Sequence, residues 1–362
     1  MADNDATILI PDISGFTEFM TTTELTHASH AITMLIDAIV EAVGDEYEVS
    51  EIEGDAVLLI KKGPAPAKKD ILDICLKIFN SFHFQRKWMQ QHAICPCGAC
   101  QAIINLTLKF VVHHGPLAEI KVGRFVKHSG TEMIVAHRLL KNSIDDNEYL
   151  LMTEKLLEQA ADPMEMVELS WAKASDEYSS IGKVDYRFAL LKEARKKVPE
   201  PPSPAYEYKT DNTSFLEIPI DINYKDAYTV IMDIPHRNMW VPGLQKVEQE
   251  MDHAFVGSVH TCSFENYTAI VSPIQMTLTT ENILYAESCR LEREHVSVVF
   301  EYVFRNTDSN SCMLAARFLN MGETAIPDEV HAMLFDTMQQ MAEKLKLYCE
   351  SMETGEIQAT HS

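Results

Sequence analysis

No run of about 18 consecutive apolar residues occurs in this 362-residue chain, so no helix long enough to span a bilayer is expected. The first residues, Met1 to Asp5, are acidic where a secretory leader would be basic, which points to a cytoplasmic protein. Cationic side chains are scarce: 31 Lys and Arg stand against 54 Asp and Glu, a net charge of −23. Lys68-Lys69 and Arg195-Lys196-Lys197 are too short to offset that field. Neither nucleic acid nor an anionic membrane is therefore an expected partner. Without a leader, the eight cysteines read as thiols or metal ligands rather than a disulfide framework. No internal repeat is visible. The apolar share, 46%, is ample for two cores, and the length suits two domains.

Two short segments near the front carry the chemistry. Thr7 to Ile10 is an apolar, β-branched run closed by Pro11, which puts Asp12 at the mouth of a strand. Ser14 and Gly15 open a loop, and from Phe16 to Val43 apolar residues recur at helical spacing. Tyr47 to Ile52 and Ala56 to Ile60 read as a hairpin turning at Glu53-Gly54, with Asp55 just past the turn. That order can bring Asp12 and Asp55 side by side. Two adjacent carboxylates suit hard cations such as Mg²⁺ or Mn²⁺, which also take phosphate oxygens. Taken singly, an Asp after a strand is often a cap, and Gly-Asp is an ordinary turn.

The segments D-I-S-G-F-T and E-I-E-G-D-A resemble the two metal-binding signatures of class III nucleotidyl cyclases, the adenylyl and guanylyl cyclase superfamily. Gly130-Thr131-Glu132-Met133-Ile134-Val135-Ala136-His137-Arg138-Leu139 resembles the helix that carries that family's catalytic asparagine and arginine. The first half also resembles an uncharacterised bacterial family in which a Cys-rich insert precedes H-R-L-L-K-N. The resemblance implies a ferredoxin-like αβ domain over residues 1–195 that binds a nucleoside triphosphate through two Mg²⁺ or Mn²⁺ ions. Asp12, Asp55 and the Ile13 carbonyl match the metal ligands, and Arg138 matches the arginine that stabilises the transferring phosphate. Glu51 matches a purine-reading position in its guanine-type form. Lys127 stands near the second purine-reading position, and Lys183 near the lysine that holds the triphosphate. Ile134 stands where the asparagine belongs, and losing one such donor costs about 10²–10³ in turnover. The resemblance further implies a head-to-tail homodimer with shared sites. As alternatives, Arg138 reads as the cationic end of an amphipathic helix and Glu51 as a solvated strand residue.

After a helix over Ile71 to Gln91, His92-Ala93-Ile94-Cys95-Pro96-Cys97-Gly98-Ala99-Cys100 gives C-x-C-x-x-C with a histidine ahead of it. Cys95, Cys97 and Cys100, with His92, His113 or His114 as the fourth ligand, are a candidate set for structural Zn²⁺; a loop of reduced thiols is the other reading. Residues 196–210 are charged and then proline-rich, a semi-rigid linker, and 353–362 is a polar tail expected to be disordered.

Residues 211–352 have another rhythm: a strand (Phe215 to Ile222), a short helix (Tyr224 to Met232), six strands and a long final helix (Glu329 to Cys349). The order resembles the START-like, or SRPBCC, helix-grip fold, and Arg237-Asn238-Met239-Trp240-Val241-Pro242-Gly243 resembles a segment of its polyketide-cyclase-like members. That fold implies an antiparallel sheet wrapped on the long helix around a cavity. Trp240, Met333, Phe335 and Met338 are the expected lining for a small apolar ligand, or else they fill a core. The fold class expected is thus α+β in two domains. The function expected is metal-dependent triphosphate binding with cyclisation to a cyclic nucleotide, regulated by the second domain. A catalytically silent scaffold is the alternative, and an enzymatic second domain a third reading.

Overall fold

The computed structural model describes residues 4–23, 25–94, 102–123, 125–160, 169–202, 215–249, 255–291, 295–322 and 325–353. They form two units, one of residues 1–90 and 97–201 and the other of residues 91–96 and 202–362.

In the first unit, a stretch buried at every position after the first makes β1 (Asp5–Ser14), which continues past Pro11. Proline has no N–H to give, and pairing with β3 (Ala56–Lys62) lapses there, resuming at Asp12 opposite Ala56. Along its other edge β1 pairs throughout with β4 (Thr107–Pro116). Asp12 therefore lies inside a paired strand, not at its mouth. The expected single helix is two, α1 (Phe16–Thr22) and α2 (Leu25–Val43). The hydroxyls of Thr21, Thr22 and Thr23 donate back to carbonyls of the preceding turn, and Thr23 is extended, which ends α1.

With β2 (Glu48–Glu53) and α3 (Lys68–His92), the order is β-α-β-β-α-β and the strands lie β2-β3-β1-β4, each antiparallel to its neighbour. This is the ferredoxin-like arrangement. Beyond β4 the sheet continues through β7 (Tyr149–Thr153), β9 (Gly182–Leu190) and β8 (Trp171–Tyr178) to seven strands. A separate ribbon pairs β5 (Ala118–Val122) with β6 (Phe125–Ser129).

Strand alternation decides what faces where. Leu9 and Ile13 join the core built on α2 and α3, while Ile8 and Ile10 turn to the other face and pack with Met133 and Ala136 of α4 (Thr131–Leu139). Asp12 follows Ile8 and Ile10 at the two-residue period. It therefore sits on the face that α4 covers.

The second unit is a seven-stranded antiparallel sheet in the order β10-β16-β15-β14-β13-β12-β11, with residues Leu216–Ile220, Ser311–Asn320, Val296–Asp308, Asn282–Leu291, Thr268–Leu278, His260–Ser263 and Lys246–Gln249 respectively. A short helix (Tyr224–Met232) and a long one, α8 (Asp328–Glu353; α5 is Glu154–Gln159, α6 Lys192–Arg195 and α7 the short one), complete it. Leu334, Met338, Met341 and Leu345 form the buried stripe of α8, and the helix packs on β10 and β16. Ile94 is fully buried in the same core, where the Tyr228 hydroxyl donates to its carbonyl. The hairpin between β13 and β14 turns at Thr279. The Thr279 hydroxyl accepts from the N–H groups of Glu281 and Asn282 and makes the turn, in a stretch whose alternation looks continuous. Among the described residues no helix is long and apolar enough to cross a membrane.

Candidate functional site

The β2-β3 turn brings the two aspartates together. Gly54, at φ +68°, turns the chain, and the Ile13 N–H donates to the Asp55 carbonyl at 3.0 Å, which ties the turn to β1 one residue past Asp12. Asp12 is 9% exposed and Asp55 half-buried. Burial raises the Asp12 carboxyl above its ordinary range, Lys109 pulls it back, and the Asp55 charge raises it further. Lys109 is directly opposite Asp12 on β4, and its Nζ lies 3.3 Å from Asp12 Oδ1 and 3.4 Å from the Leu140 carbonyl. It was not anticipated from the sequence, although a lone lysine inside Leu106 to Val112 is the sort of signal that finds such a residue. Asp12, Asp55 and the adjacent backbone are hard oxygen donors, the chemistry that Mg²⁺ or Mn²⁺ takes, while the Lys109 ammonium occupies one flank of Asp12.

Helix α4 carries Ile134 and Arg138 one turn apart. Ile134 is 51% exposed and Arg138 is exposed on the same face. Arg138 acts electrostatically on Tyr178 at the end of β8. Lys183 opens β9 in the adjoining hairpin, where it pairs with Asp185 at 2.6 Å. Among the described residues no ion pair joins Arg138 to Asp12 or Asp55. The helix is anchored at its first turn: Glu132 Oε2 lies 2.5 Å from His113 Nε2, and Oε1 lies 2.7 Å from Lys155 Nζ. The His113 bond first, then Lys155, holds the Glu132 carboxyl at about 2 against its burial.

Glu51 and Lys127, expected at the two purine-reading positions, meet directly. Lys127 Nζ lies 3.2 Å from both carboxylate oxygens of Glu51 at an exposed site. The pair is flanked by His137 3.6 Å from Glu53 and His128 3.9 Å from Glu48.

His92 is buried and its carbonyl accepts from the Val256 N–H at 2.9 Å. Cys95, Cys97 and Cys100 lie outside the described residues. Among the described residues no group of three or more His, Cys, Asp and Glu side chains is placed to hold a metal ion.

In the second unit a chamber of about 60 Å³ is bounded by β12 to β15 and α8, and a surface cleft of about 630 Å³ shares Phe264, Tyr267, Leu291 and Met333 with its wall. Of the residues expected to line a pocket, Met333 lines both. Trp240 and Met338 are instead buried in the apolar core, and Phe335 is 47% exposed. The apolar stripe of α8 runs through Leu334, Met338 and Met341, so Phe335 turns outward. Trp240 lies under Arg237, whose guanidinium carbon is 5.6 Å from the ring centre. Arg237 itself is buried and forked on Glu287, with contacts of 2.5 and 3.2 Å, and Glu287 accepts from the Tyr285 hydroxyl at 2.9 Å. This explains the arginine and tryptophan of that segment as parts of one buried cluster.

Residues 32–149 match the model of a family described as a protein of unknown function (DUF2652). The chain is 31% identical over 126 residues to the uncharacterized protein Rv2561/Rv2562 of Mycobacterium tuberculosis (strain ATCC 25618 / H37Rv), over 34% of this chain and 57% of that protein. It thus spans a little over half the length of the curated relative it matches. Among solved structures, the catalytic core of a rhodopsin-guanylyl cyclase with converted specificity, in complex with ATPalphaS, is similar with TM-score 0.39 and 14% identity, over 52% of this chain and 96% of that one. The adenylyl cyclase CyaB from P. aeruginosa is similar with TM-score 0.37 and 15% identity, over 52% and 94% of the two chains.

Proposed function

We propose that the first unit binds a purine nucleoside triphosphate at Asp12 and Asp55 together with Mg²⁺ or Mn²⁺, and that its reaction is attack of the ribose 3′-oxygen on the α-phosphorus to give a cyclic nucleotide and pyrophosphate. The observation that carries this is the closeness of Asp12 and Asp55: the Ile13 N–H donates to the Asp55 carbonyl, and the Asp55 charge raises the Asp12 carboxyl. When bound, the cation neutralises phosphate charge and polarises the reacting oxygens. The chain's own residues do the rest. Asp12 and Asp55 would hold that cation, Lys109 adds a fixed positive charge beside them, and Arg138 and Lys183 supply donors for the phosphates. Glu51 and Lys127 present an acceptor beside a donor, the complement of guanine's N1 and N2 hydrogens and its O6 oxygen. Exposed Ile134 offers no hydrogen bond, which favours slow turnover and, as the second reading, a silent nucleotide-binding scaffold. Binding of a small apolar ligand in the second unit would regulate the first.

Calorimetry with Mn²⁺ and each triphosphate tests this. GTP is expected to bind about tenfold more tightly than ATP, because adenine leaves the Glu51 carboxylate facing an acceptor. Asp12→Ala and Asp55→Ala are each expected to abolish Mn²⁺-dependent binding with the circular dichroism spectrum unchanged. Unchanged affinity in the double variant would overturn the site. Product analysis for cyclic nucleotide and pyrophosphate separates turnover from binding alone.

A further inference from the structure

The second unit buries more hydrogen-bonding capacity than its own atoms use. Arg237 spends its two terminal nitrogens on Glu287 and Tyr285, but Arg237 Nε has no partner among protein atoms. His260, 1% exposed, has no partner at either ring nitrogen, and the Tyr302 hydroxyl has none. A buried polar atom left unpaired is costly enough that native structures nearly always satisfy it with protein, water or ligand. Tyr302 stands opposite Tyr285, a partner of Arg237, and shares its strand face with Phe300, which lines the chamber. Arg237 and Glu287 line it directly. His260 shares its strand face with Cys262 and stands opposite Val271, and both of those residues line it too.

Charge narrows the chemistry. Glu287 already balances Arg237, so an anionic group entering here would leave a buried net negative charge, and a cationic one a positive. The imidazole of His260 is held neutral, because burial and then the Arg237 charge bring it down to about 2. A neutral imidazole offers one donor and one acceptor. Size narrows it further. A space of about 60 Å³ holds a group of a few heavy atoms, at roughly 30 Å³ per water-sized piece of liquid, whereas the cleft of about 630 Å³ falls in the range of small-molecule sites.

The geometry points to a ligand that enters head first: a mostly apolar molecule ending in one neutral oxygen function, a ketone or alcohol, which bonds Arg237 Nε, His260 and Tyr302 while its apolar body passes Met333 into the cleft. This deepens the ligand-sensing half of the proposed function and rests on it.

Full-length protein titrated with 2-octanone, 1-octanol, octanoate and n-octane, followed by calorimetry and thermal shift, tests the assignment. The ketone and alcohol are expected to bind at least about tenfold more tightly than the carboxylate and the hydrocarbon, since only they pair the buried groups without adding charge. His260→Leu is expected to remove most of that preference and leave hydrocarbon binding unchanged, and Tyr302→Phe gives the same readout with less change of shape. If no probe binds, the ligand-sensing reading itself fails. If all four bind alike, or His260→Leu and Tyr302→Phe leave the preference intact, that reading stands and the head-group assignment is overturned, with water alone satisfying the buried atoms.

Discussion

At the residue scale, the decisive group is Lys109. Its ammonium lies 3.3 Å from Asp12, where it competes with any divalent ion for the same oxygen. Lys109→Met is therefore expected to tighten binding of Mn²⁺ alone by about tenfold at pH 7, a modest fraction of the roughly 4 kcal/mol that two charges exchange at 4 Å near a protein surface. The pH dependence has a definite sign. Burial first, and Asp55 in addition, raises the folded-state pKa of Asp12, so below it the carboxyl holds a proton that the cation must displace. Mn²⁺ affinity should climb as pH rises through that pKa, with proton release measured by titration in buffers of different ionisation enthalpy. Affinity that is flat with pH and unaltered in Lys109→Met would place the cation elsewhere. Asp12 and Asp55 were legible because each interrupts an apolar pattern, Asp12 just after Pro11 and Asp55 beside Gly54, and Glu51 was legible through the resemblance alone. Lys109 was not, because a cation in a buried strand declares its partner only when the cross-strand register is known, and sequence leaves register open.

Elements were read more easily than their joints. The ferredoxin-like order and the helix carrying Arg138 were implied by the resemblance of the motifs around Asp12, Asp55 and Arg138, while the long last helix follows from periodicity, since one face of it is buried and repeats. The β5-β6 ribbon and the exact hairpin at Thr279 do not, because their pairing rests on local hydrogen bonds with little apolar contrast. Helix α4 shows what holds an element in place. Glu132 joins its first turn to His113 on β4 and Lys155 on α5, and its pKa falls from 4.5 to about 2 chiefly through the His113 bond. A depressed carboxylate stabilises the fold fully above its unfolded value of 4.5 and loses that contribution as pH falls toward 2. The shift corresponds to at most about 3 kcal/mol, less what solvent screening removes from a side chain 14% exposed. Glu132→Gln is expected to destabilise the first unit by roughly 1–3 kcal/mol at pH 7 and by much less near pH 3, as read by urea unfolding at the two pH values. An equal cost at both would mean that packing, not charge, anchors the helix.

At the scale of the whole molecule, the residues of the first unit proposed to bind the triphosphate are divided. Asp12 lies on the face under α4 and feels the charge of Asp55, whereas exposed Arg138 has, among the described residues, no ion pair with either of them. Beside Arg138, Ile134 is 51% exposed, and Ile52 of β2 and Ile120 of β5 are exposed to 51% and 50%. A twofold dimer answers both facts, since an isologous interface covers the same patch twice and lets Arg138 of one protomer face Asp12 and Asp55 of its partner. The expectation is a homodimer at micromolar concentration in the presence of Mn²⁺ and GTP, seen by light scattering as twice the chain mass. Ile134→Lys should shift it to monomer, because a lysine buried against an apolar partner face must be desolvated without a counter-ion. The same substitution should weaken triphosphate binding without touching Asp12 or Asp55. A protein that is monomeric with nucleotide bound would confine the site to one chain, and Arg138 would then have no part in it.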